Sequence, residues 1–124
     1  MGHYAFLDSE NIVTEVITGR DEDEVVDGIT DWEQHYGDFR GQICVRTSYN
    51  TRGNVHSNGG TPFRKNFASL GMVWDGVGFH KQKPYPSWTL DTETYFWNPP
   101  VPYPSDNNFY TWNEETLSWD GATE

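Results

Sequence analysis

Cysteine is almost absent from this chain, which contains one, and no apolar run approaches the ~20 residues that a membrane-spanning helix needs. The lone cysteine excludes an internal disulfide and a CxxC metal site. The first residues lack the charged and apolar regions of a secretory signal. The sequence therefore predicts a soluble protein that is not exported and has no membrane partner.

The single cysteine, Cys44, lies in the segment QICVRTSY, where the alternation of side chains along a strand puts it on one face. We expect it to act as a small buried hydrophobe there, rather than as a nucleophile. One face of this predicted strand carries Ile43, Val45, Thr47 and Tyr49, and the other carries Cys44, Arg46 and Ser48.

Hydrophobic residues make up only 35% of the chain and mean hydropathy is -0.79, but 16% of the residues are aromatic. A length of 124 residues suits one domain with a modest core, which aromatic rings must largely supply. The 12 Gly and 7 Pro favour strands and turns over a helical bundle. The expected fold class is mainly β, with successive short β-hairpins, one amphipathic helix and proline-rich extended connections.

Positive charge is confined to the middle of the chain, whose net charge is -11. Residues 1–39 hold eleven acidic and one basic side chain, residues 40–83 hold one and seven, and residues 84–124 hold seven and none. We expect one domain, 1–124, in which an acidic hairpin plus helix, a basic strand, loop and hairpin, and acidic Trp/Pro-rich hairpins follow one another. Such a surface repels phosphate, which argues against a nucleic-acid partner. The basic segment suits an acidic partner, or the chain's own acidic flanks.

Two elements are predicted in the first third of the chain. Residues 3–19 alternate on either side of LDSEN, which is typical of a β-hairpin. In residues 20–37 the apolar side chains recur at helical spacing, so a helix is expected there, and Gly37 fits its end. The predicted apolar stripe of this helix consists of Val25, Ile29, Trp32 and Tyr36.

The middle of the chain combines a long irregular stretch with a further hairpin. Residues 50–71 show no clear periodicity, and a loop of this length in a small domain is usually functional or disordered. Its apolar residues indicate that it packs against the rest of the domain or against another chain. Residues 72–80, MVWDGVGFH, predict a hairpin with Asp75-Gly76 as its turn.

One short phrase occurs three times, as LDSENIVT, LDTETYFW and WNEETLSW, with Asp or Asn at its second position and Glu at its fourth. We expect an Asx-type turn to join two short strands in each copy. Rings that flank the last two turns can then meet across the strands, where such pairs contribute about 0.5–1.5 kcal/mol beyond area burial. A PYPS segment precedes each of these two copies, at 84–87 and 102–105, and we expect both segments to be extended connections.

Four tryptophans of the last two copies allow two interpretations. They either pack the hairpins together or stack on sugar faces, as rings do in small carbohydrate-binding modules. Packing is favoured, because a two-stranded hairpin is marginal without a further surface to cover it. These residues are Trp88, Trp97, Trp112 and Trp119.

The sequence gives little support to catalysis, a metal or a cofactor. The four histidines are scattered, without HxH or HExxH spacing. Convergence of His56, His80 and Asp75 near Gly59-Gly60 would require a fold that the sequence does not indicate. The same glycines lack the pattern of a phosphate-binding loop. No catalytic, metal-binding or cofactor-binding residue is therefore predicted.

Four stretches, YAFLDSENIVTEVI, TSYNTRGNVHSNGGTPFRKNFASLGMVWD, KPYPSWTLDTETYFWNPPVPYPSD and YTWNEETLSW, are distinctive in composition and order. Together they resemble a family of small proteins in tailed phages that infect marine cyanobacteria and related ocean bacteria. The resemblance covers nearly the whole chain, and the Trp/Pro-rich tail is its most specific part. It implies a phage origin and a virion component made in the host cytoplasm, and it supplies no catalytic residues.

The resemblance and the composition together predict a non-enzymatic structural protein of a phage particle, with a capsid decoration (cement) protein as the leading hypothesis. A tail, neck or fibre component and a carbohydrate-binding module are the alternatives, and an intracellular effector is a further one. The partners would be capsid or tail proteins, and a homo-oligomer stays open. Interface energy concentrates in aromatic and Arg anchors. The predicted partner-binding residues are Arg46, Arg52, Phe63, Arg64, Lys65 and Phe67.

Overall fold

The fold is mainly β with short antiparallel hairpins and one helix, which confirms the predicted class, in a computed structural model that describes residues 2–121. No helix in this range is long and apolar enough to cross a bilayer. The elements are β1 Gly2–Leu7, β2 Val13–Gly19, α1 Trp32–Arg40, β3 Ile43–Thr47, β4 Thr51–Arg52, β5 Val55–His56, β6 Val73–Trp74, β7 Phe79–His80, β8 Thr89–Leu90, β9 Trp97–Asn98, β10 Tyr110–Asn113 and β11 Ser118–Gly121.

The strand β1 is the middle strand of a three-stranded antiparallel sheet, in the order β2-β1-β3. Ala5 lies opposite Val16 on one side and Val45 on the other. The four consecutive residues from Tyr4 to Leu7 are each at most 1% exposed. Both faces of the sheet are therefore covered, and β1 is the centre of the fold.

The middle of the chain covers one face of this sheet. Met72 and Phe79 pack there against Leu7 and Val13. Backbone hydrogen bonds hold the same segment in register, because the N–H of Val13 donates to the carbonyl of Met72 (2.8 Å) and the N–H of Gly71 donates to that of Val13 (2.9 Å). Residues far apart in sequence thus form one core.

The helix α1 covers the opposite face, where Trp32 packs on Tyr4, Phe6 and Cys44. The indole N–H of Trp32 donates to the carbonyl of Glu24 at 2.9 Å, so the polar atom of this ring is satisfied inside the core. Cys44 is buried in this layer, which confirms its predicted place. Burial raises the pKa of its thiol to about 12, with a smaller contribution from Glu33, so the thiol is protonated at neutral pH.

The helix α1 has a capping residue at each end. The carboxylate of Asp31 accepts the backbone N–H of Gln34 at 3.0 Å. Gly41, with φ of 67°, ends the helix, and its N–H donates to the carbonyl of Gly37. Gly37 lies inside the helix, where an added Cβ would approach the carbonyl oxygen of Gln42 to 2.8 Å. The prediction that Gly37 ends the helix is therefore wrong by one turn.

The predicted helix is also wrong over residues 20–31, which contain a tight turn. Asp27 and Gly28 have φ of 52° and 81°, in the left-handed region. They reverse the chain between Val26 and Ile29, whose backbones hydrogen-bond to each other. An Asp-Gly pair favours a two-residue turn of this kind, and that local preference outweighs the helical spacing. Val25 of the predicted stripe is exposed, and Val26 packs against the core in its place.

The stretch for which the sequence predicts no regular structure, 50–71, contains the hairpin of β4 and β5. The N–H of Phe67 donates to the carbonyl of Thr51, and the N–H of Asn54 donates to that of Lys65, both at 2.8 Å. This stretch therefore folds back on itself and is part of the domain's hydrogen-bonded structure.

Asn66 is buried, and its side chain joins three segments of the chain. Its Oδ1 accepts the N–H of Gly53 at 2.8 Å. Its Nδ2 donates to the carbonyl of Phe79 at 3.0 Å and to that of Thr94 at 3.1 Å. A buried amide left without partners would cost about 1–3 kcal/mol, so this set of bonds fixes how the three segments lie together.

The repeated phrase forms an Asx turn in each of its three copies, as predicted. In every copy the carboxylate or amide oxygen at the second position accepts the N–H of the glutamate two residues later, and a residue with positive φ follows (Asn11, Tyr95 and Leu117). The three hydrogen bonds run from Glu10 to Asp8 (2.8 Å), from Glu93 to Asp91 (2.8 Å) and from Glu115 to Asn113 (3.0 Å).

The first proline-rich connection is not extended. The chain forms a tight turn at residues 85–88, where the N–H of Trp88 donates to the carbonyl of Tyr85 at 3.1 Å. Pro86 occupies the second position of this turn, where its fixed φ is favoured. The second connection, 102–105, forms neither helix nor strand.

Asp91 offers a test of the Asx turn. The backbone N–H groups of Thr94 and then Glu93 hold the pKa of its carboxyl below its usual range. Because the pKa of Asp91 is lower in the folded chain than in the unfolded chain, its ionised carboxylate stabilises the fold at pH values above the unfolded pKa, near 3.8. That stabilisation is lost as the pH falls through the folded pKa. Asp91→Asn keeps the acceptor, as Asn113 does, and we expect the stability difference from wild type to shrink below about pH 4.

Urea unfolding between pH 2 and pH 7 measures this difference. Asp23→Asn is the matched control, because Asp23 is an exposed residue that loses the same charge. An Asp91→Asn difference that stays constant across the range would contradict the assigned role.

Candidate functional site

Two of the predicted partner-binding arginines lie over one ring. The guanidinium of Arg46 is 3.9 Å from the centroid of Phe63, and that of Arg64 is 4.5 Å from it. Each arginine also pairs with a carboxylate, Arg46 with Glu22 at 2.5 Å and Arg64 with Glu33 at 2.9 Å. The basic segment therefore meets the chain's own acidic flank at these positions. Whether Arg46, Phe63 and Arg64 also bind a partner stays a prediction.

Lys65 and Phe67 also contact the chain itself. The ammonium of Lys65 donates to the carbonyl of Glu93 at 3.3 Å and lies 5.4 Å from the centroid of the Tyr95 ring. The ring of Phe67 makes edge contacts with His3 and Tyr49, at 5.5 and 5.4 Å between centroids. Lys65 thus helps to hold the last third of the chain against the middle.

The last two hairpins are joined by tryptophans. Trp112 and Trp119 lie directly opposite each other on β10 and β11, with ring centroids 5.1 Å apart, which confirms their predicted pairing. Trp88 packs against both, at 5.8 and 6.1 Å. In the hairpin of β8 and β9 the strand partner of Trp97 is Leu90, so the rings that flank this turn do not form a pair of tryptophans there.

A single carboxylate fastens the first of these hairpins to the second. Glu114 accepts the N–H of Ser87 at 3.1 Å and its hydroxyl at 2.8 Å, and it accepts the indole N–H of Trp112 at 2.8 Å. The bond from Trp112, followed by those from Ser87, lowers the pKa of the Glu114 carboxyl. We call the rings around this carboxylate the tryptophan cluster. Its members are Tyr85, Trp88, Tyr103, Trp112 and Trp119.

The indole N–H groups of this region are mostly bound within the chain. That of Trp119 donates to the carbonyl of Val101 at 2.8 Å, and that of Trp97 donates to the carbonyl of Lys81 at 2.7 Å. The buried N–H of Trp88 has no acceptor among residues 2–121. Two of the cluster's three indole N–H groups, those of Trp112 and Trp119, are bonded within the chain, and the third is buried, which indicates that the cluster is built for packing.

An open groove of about 790 Å³ lies between the segment 49–57 and the segment 81–97, with Asn66 and Met72 at its base. Aromatic rings dominate its walls. The rings that line this groove, which we call the aromatic groove, belong to Tyr49, Phe67, Trp88, Tyr95, Phe96 and Trp97.

Two basic residues, Arg52 and Lys81, line the aromatic groove, and none of its lining residues in the described part of the chain is acidic. The guanidinium of Arg52 lies 5.5 Å from the centroid of Phe96, which itself is 40% exposed. The Phe96 ring covers Gly53, where a Cβ would approach the ring carbons to 2.8 Å. Gly53 therefore lets the ring lie flat against the wall of the groove.

Four lining residues of the aromatic groove were predicted from the sequence as site residues, in two separate roles. Arg52 and Phe67 were predicted to bind a partner, and Trp88 and Trp97 were predicted to pack together or to stack on a sugar. Lys81 and Phe96 were not predicted. The groove forms where segments about thirty residues apart in sequence meet, and no local sequence pattern indicates such a contact.

The residues weighed for catalysis are engaged in local structure. The ring nitrogen Nδ1 of His56 accepts the N–H groups of Asn58 (3.1 Å) and Gly60 (3.2 Å). The carboxylate of Asp75 accepts the N–H groups of its own turn, and His80 packs on the ring of Trp97. In residues 2–121 no three His, Cys, Asp or Glu side chains are placed to hold a metal ion.

Truncation of Trp112 tests the tryptophan cluster. Trp112 is 7% exposed and contacts the rings of Trp88 and Trp119. We expect Trp112→Ala to lower the free energy of unfolding by about 3–5 kcal/mol, because it leaves a cavity among rings that then lack partners. Phe109→Ala is the matched control, since Phe109 is 82% exposed, and it should leave stability within about 0.5 kcal/mol of wild type. Thermal unfolding measures both, and equal effects would contradict the packing role.

No protein-family model, curated protein or solved structure matches this chain. The contacts described above are therefore the basis on which a function is proposed.

Proposed function

We propose that this chain is a non-enzymatic structural protein of a tailed-phage particle, and that it serves as a capsid decoration (cement) protein. Many copies of a small acidic domain would bridge neighbouring shell subunits and strengthen the shell against internal pressure. The proposal takes the phage origin from the sequence resemblance, and its partners are capsid proteins.

The observation that carries the proposal is the internal use of the tryptophans. Trp112 is buried between Trp88 and Trp119, and Glu114 ties this cluster to Ser87. Aromatic rings that pack against one another inside the chain stiffen a protein that has few aliphatic residues. A stiff block with exposed charged loops suits a protein whose task is to hold neighbours in place, because rigid surfaces lose little entropy on binding.

The same observation weighs against a sugar-binding role for Trp88, Trp112 and Trp119. A ring that stacks on a sugar needs a free face, whereas the faces in the tryptophan cluster contact other rings. A tail, neck or fibre component would have the same structural role, but it would form a closed ring or a trimer in place of a surface array and would be present in fewer copies.

Mass spectrometry of purified particles, with quantitation against the major capsid protein, tests the proposal. We expect a copy number comparable to that of the shell subunits. A small multiple of the tail symmetry would move the protein to the tail, neck or fibre. Absence from particles that contain all other structural proteins would end the virion proposal and favour an intracellular effector.

Tryptophan fluorescence tests the carbohydrate alternative. We expect neutral and acidic polysaccharides to leave the emission maximum and intensity unchanged, because the tryptophan cluster is packed internally. The measurement uses the folded chain titrated with polysaccharides from the host surface, with free tryptophan as the control for absorption. A saturable shift that disappears in Trp97→Phe would favour the carbohydrate-binding module.

A further inference from the structure

Charge is distributed around the aromatic groove in a way that the net charge of -11 does not predict. The lining contains Arg52 and Lys81 but no carboxylate among the described residues. The chain has 19 acidic side chains, and none of those within residues 2–121 lines this open groove. The electrostatic potential of the groove is therefore positive relative to that of the surrounding surface. Such a surface attracts an anionic ligand.

The same two cations have no carboxylate partner. Four arginines form ion pairs with carboxylates in residues 2–121, and Arg46 and Arg64 are two of them. Neither Arg52 nor Lys81 lies within ion-pair distance of a carboxylate in residues 2–121. Carboxylates are abundant in this chain, so the two unpaired cations in one groove are available to a ligand.

The walls of the groove require an apolar ligand as well. The side chain of Tyr49 is 67% exposed and that of Phe96 is 40% exposed, and Trp97 also lines the groove. The volume of about 790 Å³ lies within the roughly 300–1,000 Å³ that is usual for ligand sites. A ligand that fills it must bury rings or aliphatic side chains against these walls.

The polar groups of the groove favour a peptide over a sugar. A sugar needs many hydrogen-bond partners for its hydroxyls, but the amide of Asn66 is fully used in bonds to three backbone segments. The amide of Gln82 donates to the carbonyl of Gly71 at 2.9 Å, and that of Asn50 accepts the hydroxyl of Ser57 at 3.2 Å. These amides are therefore partly committed to the chain's own structure, whereas Arg52 and Lys81 form no ion pair in the described residues and the side chains of Tyr49 and Phe96 are exposed.

We propose that the aromatic groove binds an acidic segment of a partner protein in which carboxylates neighbour large apolar side chains. Arg52 and Lys81 pair with the carboxylates, and Phe96 and Trp97 cover the apolar side chains. Interface energy concentrates in aromatic and Arg anchors of this kind. The inference names the attachment site for the structural role proposed above and rests on it.

The probe for a binding test is a pool of synthetic fluorescein-labelled heptapeptides that alternate Asp or Glu with Phe, Leu or Trp. Fluorescence anisotropy with the folded chain should give saturable binding, weakened by added salt because exposed charges are screened. We expect Arg52→Glu and Lys81→Glu each to weaken binding at least about tenfold, and Phe96→Ala to do the same.

The chain offers matched controls for each change. Lys83 is exposed, lies two residues from Lys81 and does not line the groove, so Lys83→Glu removes the same charge nearby and should leave affinity within about twofold. Phe109→Ala is the control for Phe96→Ala. Pools with Lys in place of the acidic residues, or with Ser in place of the apolar ones, should not bind.

Three outcomes would overturn the proposal. The first is failure of every acidic apolar peptide to bind while circular dichroism shows the folded chain. The second is equal weakening by Lys81→Glu and Lys83→Glu, which would mean attraction by overall charge alone. The third is saturable binding of an acidic polysaccharide, such as polygalacturonate, that Phe96→Ala abolishes.

A second measurement separates this inference from the proposed function. A photo-crosslinking residue in place of Phe96, carried into particles, should join the chain to an acidic stretch of a capsid protein. If the protein is absent from particles but binds the peptides through Arg52 and Lys81, the groove stands and the virion role fails. If it is present and crosslinks from Phe109 but not from Phe96, the virion role stands and the groove fails.

Discussion

The side chain of Asn66 is the interaction on which the arrangement of this chain depends. Its single amide joins Gly53, Phe79 and Thr94, which belong to the β4–β5 hairpin, to β7 and to the turn before β9. Because an amide buried without partners costs about 1–3 kcal/mol, these bonds favour the arrangement in which all three segments meet. The aromatic groove lies between two of these segments, so Asn66 helps to set its width.

Aromatic rings take the place of an aliphatic core in the last third of the chain. The β10–β11 pair alone would be marginal, but Trp88 packs against both of its tryptophans and Glu114 binds Ser87. Charge has a similar internal use in the first two thirds, where Arg46 and Arg64 reach carboxylates of the acidic flank. Arg52 and Lys81 have no carboxylate partner within residues 2–121, and they lie beside exposed rings. This combination is the basis for proposing a partner.

The turns were predictable because their chemistry is local. Asp8, Asp91 and Asn113 each bind an N–H group two residues away, and such a bond needs no knowledge of the rest of the fold. The single predicted helix exists, but its start was predicted about three turns too early, because local turn chemistry competes with helical spacing. A helical spacing of apolar residues was read across Asp27 and Gly28, whose left-handed conformation forms a turn before the helix begins.

The sequence alone determined the mainly β class, the hairpins at their turns, the burial of Cys44 and the pairing of Trp112 with Trp119, because each depends on neighbours along the chain or directly across one turn. Only the tertiary structure decided which arginines pair internally, where Trp88 packs and that Lys81 and Phe96 share a groove. Those contacts join segments far apart in sequence, as the buried bonds of Asn66 and the two covered faces of β1 also do, and no local pattern relates such segments.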